Sequence, residues 1–212
     1  MQKMIPMISI LLGVLFTLSV YVWNHTKQSK NAAAFENIHL FNHAQTIPEF
    51  ELIDENNQTV TNEWLNGKWT IINLGYTFCP DICPTNLADT SIMMRILAEQ
   101  SIDAQFIQSW FVTIDPQRDS IAVIKQYTQA FHADLLGITG VETDINEFAA
   151  RFGFSYQVQK QQENNDYYLV AHSDMMILIN PKGQYAGYIL PPYDSQNMAF
   201  VLSKLIEGAG LN

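Results

Sequence analysis

Trp69-Thr70-Ile71-Ile72-Asn73-Leu74-Gly75-Tyr76-Thr77-Phe78-Cys79-Pro80-Asp81-Ile82-Cys83-Pro84 runs from an apolar stretch into a loop carrying the only two cysteines of the 212-residue chain. The apolar stretch, closed by Gly75, predicts a buried strand. Proline suits the first position of a helix, where no intrahelical partner needs its N–H. A helix is therefore expected from Pro84 to Gln100, with Leu87, Met94 and Leu97 on its core face. Cys83 would sit at the helix cap and Cys79 in the loop before it. The positive end of the helix dipole favours a thiolate there. Two such thiols can hold a soft metal, or they can exchange electrons as a dithiol/disulfide couple. A structural staple is the weakest reading, because closing so short a loop removes little unfolded-state entropy.

Outward from this stretch, Phe50 to Asp54 and Thr59 to Thr61 predict a hairpin around Glu55-Asn56-Asn57-Gln58. Gln105 to Ile114 is a second core strand ending in Asp115-Pro116. Asp119 or Ser120 caps a helix through His132. Leu135 to Thr139 is a short strand, and Glu142 to Phe152 a helix with Ile145, Phe148 and Ala149 on one face. Phe154 to Gln159 and Tyr167 to Val170 are strand pieces around a polar loop. Met175 to Ile179 and Gln184 to Leu190 form a hairpin, and Asp194 or Ser195 caps a last helix to about Ile206. Strands separated by helices imply parallel crossovers, with the late hairpin as an antiparallel edge. The expected fold class is α/β: a thioredoxin-like three-layer sandwich, with a mixed sheet and an extra N-terminal hairpin, preceded by one transmembrane helix.

The N-terminus divides into a tail (1–3), an anchor (4–23) and a tether (24–46) before the domain at 47–212. Met4 to Trp23 contains no charge, and twenty helical residues span a hydrocarbon core of about 30 Å. A cleaved signal has an apolar core of about 7–15 residues and a small-residue cleavage site. This segment is longer, and Tyr21-Val22-Trp23 is a poor site, so an uncleaved anchor is expected. Residues 36–212 hold all 21 acidic residues and 8 basic ones, a net charge of −13. That balance disfavours nucleic acid and anionic membrane surfaces.

A metal would need a third ligand. The histidines are His25, His39, His43, His132 and His172. His25 adjoins the anchor, His39 and His43 fall in the tether, and His132 ends a helix. His172 precedes the strand Met175 to Ile179, on a loop that faces the cysteines in a thioredoxin plan. No proline lies between Pro116 and Pro181, so the cis-proline of thioredoxin-type redox enzymes is missing there and an imidazole is offered instead. Two thiolates and one imidazole suit copper(I), whereas zinc prefers a fourth ligand. Asp115 at the end of the neighbouring strand, Asp174 near His172, and Asp81 between the cysteines are candidates to support the ligands from behind. Met93, Met94, Met175 and Met176 read as packing residues.

Gly75 to Leu87, with its Cys79-Pro80-Asp81-Ile82-Cys83-Pro84 core, resembles the signature of the Sco/SenC family. Val112-Thr113-Ile114-Asp115-Pro116-Gln117-Arg118-Asp119 resembles its second block, Leu136 to Gly140 its third and Ala171-His172-Ser173 its fourth, over about residues 47–206. Sco proteins are membrane-anchored thioredoxin-fold copper proteins that assist assembly of the CuA centre of cytochrome c oxidase. The resemblance implies one copper per domain, as Cu(I) and/or Cu(II), on Cys79, Cys83 and His172. It also implies a bacterial inner-membrane anchor with the domain in the periplasm. The CuA-bearing oxidase subunit, and other copper carriers or thiol reductants, are the implied partners. Ala171 replaces the acidic residue that usually precedes the histidine. This reading makes the chain a metallochaperone rather than an enzyme. The alternative is a thiol-disulfide reductase acting on the CuA-site cysteines through a reversible Cys79–Cys83 disulfide. A peroxiredoxin-like peroxidase fits poorly, given Pro80 and the close second cysteine.

Overall fold

The computed structural model describes residues 16–21, 36–102, 105–160 and 168–208. The chain divides into two compact units, 1–36 and 37–212. In the first, residues 16–21 are helical. The expected anchor at 4–23 lies mostly outside the described residues, and among those described no helix is long and apolar enough to cross a membrane.

The second unit is built on an eight-stranded mixed sheet of order β1-β10-β9-β4-β5-β6-β2-β3. Its strands are β1 (Ile38–Thr46), β2 (Glu51–Asp54), β3 (Thr59–Thr61), β4 (Trp69–Gly75), β5 (Ile107–Thr113), β6 (Leu135–Thr139), β9 (Met176–Ile179) and β10 (Gln184–Ile189). Four helices follow the chain as α1 (Ile82–Glu99), α2 (Ile121–Gln129), α3 (Glu142–Ala150) and α4 (Ser195–Gly208). The remaining strands, β7 (Tyr156–Lys160) and β8 (Tyr168–His172), pair antiparallel in a separate ribbon.

All seven residues of β4 are buried. A strand covered on both faces reads as a continuous apolar run, and this is why Trp69 to Gly75 marks the centre of the sheet. β4, β5 and β6 are parallel, joined by crossovers through α1 and α2. Side chains along β5 alternate between faces. Trp110 and Val112 join Ile72, Leu74 and the α3 residues Ile145 and Phe148 on one side. Phe111 meets Leu87 of α1 and Ile124 of α2 on the other. The result is the expected three-layer α/β sandwich.

Four expectations are corrected. Ile38–Thr46, read as the end of a tether, is an edge strand paired with β10. Its sparse hydrophobicity fits an edge: Ile38 is its one fully buried residue. Gly187 permits the contact, since a Cβ there would meet the His39 carbonyl oxygen at 2.1 Å. The late hairpin is accordingly internal, with β1 outside β10 and β9 paired antiparallel to β4. α1 begins at Ile82, two residues before the expected start, so Pro84 lies in its first turn without breaking any intrahelical bond. His172 ends strand β8 instead of lying in a loop.

Candidate metal centre

The centre forms where the C-terminal end of β4 hands the chain to α1. Gly75 closes β4, and the loop Tyr76–Asp81 carries Cys79. Asp119 braces that loop from the segment between β5 and α2: its carboxylate accepts from Thr77 N at 2.9 Å, Thr77 Oγ1 at 2.5 Å and Thr113 Oγ1 at 2.6 Å. Burial raises the Asp119 carboxyl above its ordinary value against the lowering effect of these bonds. Sequence reasoning saw Asp119 only as a helix cap. Ser120 is the residue whose side chain caps α2, accepting from Val123 N.

Cys83 lies in the first turn of α1 and is buried, while Cys79 is half-buried. Gly75 makes room for the inner thiol: a Cβ at Gly75 would lie 2.6 Å from Cys83 Sγ. The Cys83 amide points at Cys79 Sγ, 3.5 Å away. The thiolate expectation is therefore reversed in position. Hydrogen bonding from the Cys83 thiol, opposed by burial, and further contacts with His172 and the backbone of Asp81 and Cys83 lower the Cys79 thiol to about 3. The bond to Cys79 and burial push Cys83 far above the usual thiol range. One proton shared by two close sulfurs stays on the one that water cannot reach.

His172 arrives from β8, 89 residues away in sequence, with Nε2 3.6 Å from Cys83 Sγ. Its Nδ1 lies 2.7 Å from the Ser173 carbonyl oxygen. A carbonyl can only accept, so Nδ1 carries a proton and Nε2 is the nitrogen turned towards the sulfurs. Burial alone would lower the His172 pKa, but the contacts with Cys79 and Ser173 outweigh it and raise it. Phe154 stacks on the ring at 5.7 Å, and Tyr76 meets it edge-on at 6.0 Å. Tyr76 falls within the Gly75–Leu87 signature, whereas Phe154 carries no sequence signal beyond opening a strand piece.

The ligand atoms of Cys79, Cys83 and His172 all lie within 4.8 Å of one another, and they are the only such group among the described residues. Two sulfurs and an imidazole nitrogen fit a soft ion.

The supporting aspartates fall differently from expectation. Asp174 accepts from Asn86 Nδ2 at 2.8 Å and Tyr193 Oη at 2.9 Å, tying the loop after His172 to α1. The Ser173 carbonyl, not Asp174, holds the His172 ring. Asp115 is buried and accepts from Arg118 Nε at 2.5 Å and Tyr168 Oη at 2.7 Å, so it touches neither thiol. The Asp115-x-x-Arg118 spacing was the available signal for this pair. Asp81 is the N-cap residue of α1, but its exposed side chain caps no amide. His39 and His43 lie on β1, and His132 Nδ1 accepts from the Asp134 amide, so none joins the cluster.

Among solved structures, Arabidopsis thaliana ScoI with copper bound has a TM-score of 0.69 and 30% identity, covering 76% of this chain and 98% of its own. Yeast Sco1 with copper bound has a TM-score of 0.68 and 30% identity, over 78% of this chain and 89% of its own. A SCO2-like protein of Rickettsia felis is 36% identical over 137 residues, 65% of each chain, so the match spans just under two thirds of that relative. The β4–α1 turn, the β5 end and the β8 histidine all fall inside residues 40–207, which match the SCO1/SenC family model, and the chain belongs to that family.

Proposed function

We propose that this chain is a copper metallochaperone that delivers copper to, or matures, the CuA centre of cytochrome c oxidase. It holds one copper ion per domain, as Cu(I) and/or Cu(II), on Cys79, Cys83 and His172. The observation that carries the reading is the convergence of those three ligand atoms within 4.8 Å, with His172 Nε2 left free by the Nδ1 contact to Ser173. The copper-bound Arabidopsis and yeast relatives support the choice of ion.

Each residue has a separate task. Cys79, ionised and half-buried, is the ligand that an incoming partner meets first. Cys83 gives up its proton when the ion enters, so binding releases a proton. His172 supplies Nε2, which ligates in its unprotonated form. A groove of about 690 Å³ lined by Ser155, Tyr156, Gln157, Ala171, His172 and Ser173 opens beside the imidazole and gives a partner access to it. The charge-free run 4–23 is proposed as an uncleaved anchor in the bacterial inner membrane, with the domain in the periplasm, where a CuA-bearing oxidase subunit presents its site.

A second reading, thiol-disulfide reduction of the CuA-site cysteines, is favoured by the division of labour between the thiols. The Cys79 thiolate would attack a partner disulfide. The Cys83 thiol, losing its proton, would then displace the partner's second sulfur. The partner gains two electrons and leaves as a dithiol, while this chain leaves as the Cys79–Cys83 disulfide.

Copper titration of the reduced full-length chain, native and His172→Ala, separates the two. One copper per chain, weakened by the substitution, is the expected result. No stable copper in the native chain, together with a reversible Cys79–Cys83 disulfide, would replace this reading with the second.

A further inference from the structure

The histidine arm of the centre has no place in the main sheet. β8 pairs with β7 alone, and the described residues of that ribbon form no ladder with the other eight strands. The cysteines, by contrast, are fixed by β4, α1 and Asp119. Something other than sheet pairing must set the distance between His172 and the thiols.

Arg118 is placed to do this. It leaves the turn after β5 and enters the junction between the cysteine loop and β8. Its Nη1 donates to the Tyr168 carbonyl at 3.0 Å, and its Nε donates to Asp115 at 2.5 Å. The Tyr168 hydroxyl closes the circuit on the other oxygen of the same carboxylate, at 2.7 Å. The guanidinium carbon lies 3.5 Å from the Tyr168 ring centroid, 5.0 Å from that of Phe78 and 5.6 Å from that of Tyr76. Phe78 adjoins Cys79. Tyr76 accepts from the Val170 amide at 3.2 Å and meets the His172 ring edge-on. Arg118 thus grips the start of β8 by one hydrogen bond and a stacked face, its Asp115 partner accepts a second bond from Tyr168, and two rings of the cysteine loop face the same guanidinium. Nη2 is buried without an oxygen or nitrogen partner, as fits a guanidinium held among aromatic faces.

We propose that Arg118, oriented by Asp115, is the positioning residue that holds the β7–β8 ribbon, and with it His172, at ligand distance from Cys79 and Cys83. The inference rests on the copper reading. It also specifies that the third ligand is set by a clamp separable from the dithiol. Planar, two-pronged geometry is required, because an ammonium cannot reach both Asp115 and the Tyr168 carbonyl in the plane of the ring.

The test compares native full-length chain with Arg118→Met and Arg118→Lys. Arg118→Met should bind copper about 10–100-fold more weakly, as for other residues that orient metal ligands. In the metal-free protein its His172 ring-proton resonances should move, since they report the neighbouring Phe154 and Tyr76 rings. The Cys79–Cys83 midpoint potential should stay where it is. Arg118→Lys should fall between the two. Copper affinity within twofold of native, with unmoved His172 resonances, would overturn the proposal. So would a potential that shifts in step with affinity, which marks general loss of the site. If Arg118→Met does not fold, native affinity in Arg118→Lys is the overturning result. If the native chain binds no copper, the copper reading falls, and the His172 resonances alone decide the clamp.

Discussion

His172 Nε2 lies 3.6 Å from Cys83 Sγ, although Cys83 sits in the first turn of α1 and His172 ends β8, 89 positions apart. The histidine's other nitrogen is occupied by the Ser173 carbonyl, so the contact is made by the nitrogen able to ligate. Two kinds of chemistry meet at this point. The sulfurs alone suffice for electron exchange, and sulfurs plus nitrogen suffice for a soft ion.

Removing the nitrogen should therefore separate the two. His172→Ala is expected to weaken copper binding at least tenfold. Exchange of the Cys79–Cys83 pair with a small disulfide should continue at nearly the native rate. A copper titration and a thiol-exchange time course, run on the same preparation, check this.

The thiols should react unequally. In the metal-free reduced chain, Cys79 is expected to be alkylated at pH 6 almost as fast as at pH 8, because its pKa is lowered to about 3. Buried Cys83, raised above the usual thiol range, should resist. The linkage has a sign. The folded chain releases the Cys79 proton at lower pH than the unfolded chain does, so this group's contribution to stability is complete above the ordinary thiol range. It is lost as pH falls towards about 3. Peptide mapping after pulsed alkylation, and denaturation midpoints at pH 4 and pH 7, are the measurements. The Cys79→Ser variant should show a smaller midpoint difference than native.

Space at Gly75 is a condition of the site. Gly75→Ala would bring a Cβ to 2.6 Å from Cys83 Sγ and 3.1 Å from Phe111, with buried neighbours that cannot swing away. Overpacking of this kind costs about 1–3 kcal/mol. Thermal unfolding should register that loss, and copper titration should show weaker binding, because the atom displaced is itself a ligand sulfur.

Asp119 should matter to the cysteine loop without touching the ion. Asp119→Ala leaves the donors of half-buried Thr77 and buried Thr113 without their acceptor. Each unsatisfied group costs about 1–3 kcal/mol. Urea unfolding should show the destabilisation, and amide exchange at Thr77 should accelerate more than exchange in β9 or β10.

Much of this protein was legible as a sequence because its information is local. The largely apolar run of β4 announced a strand covered on both faces. The pairing of two cysteines with a following proline announced a reactive turn at a helix start, and the Gly75–Leu87 signature tied it to a family. The hairpin β2–β3, the strand β6 and the core faces of α1 and α3 followed from periods of 2 and 3.6. His172 could be picked from five histidines because it lies near the strand that borders β4.

Other features depended on contacts that no local pattern records. β1 reads as tether because an edge strand buries little and needs few apolar residues; only its partner β10 makes it a strand. The site of the thiolate was decided by burial, which puts Cys83 inside and leaves the charge on Cys79. Asp174 stands close to His172 in sequence, yet it is used by Asn86 and Tyr193, while a backbone carbonyl fixes the ring. Asp115 reads as a support for the ligands and Arg118 only as part of the second block; β8, laid across them, is what the pair holds. Sequence determined which residue types were available for soft-metal or thiol chemistry and which strand would carry them. Tertiary structure decided which atoms meet, because a ligand distance is set by the packing of segments far apart along the chain.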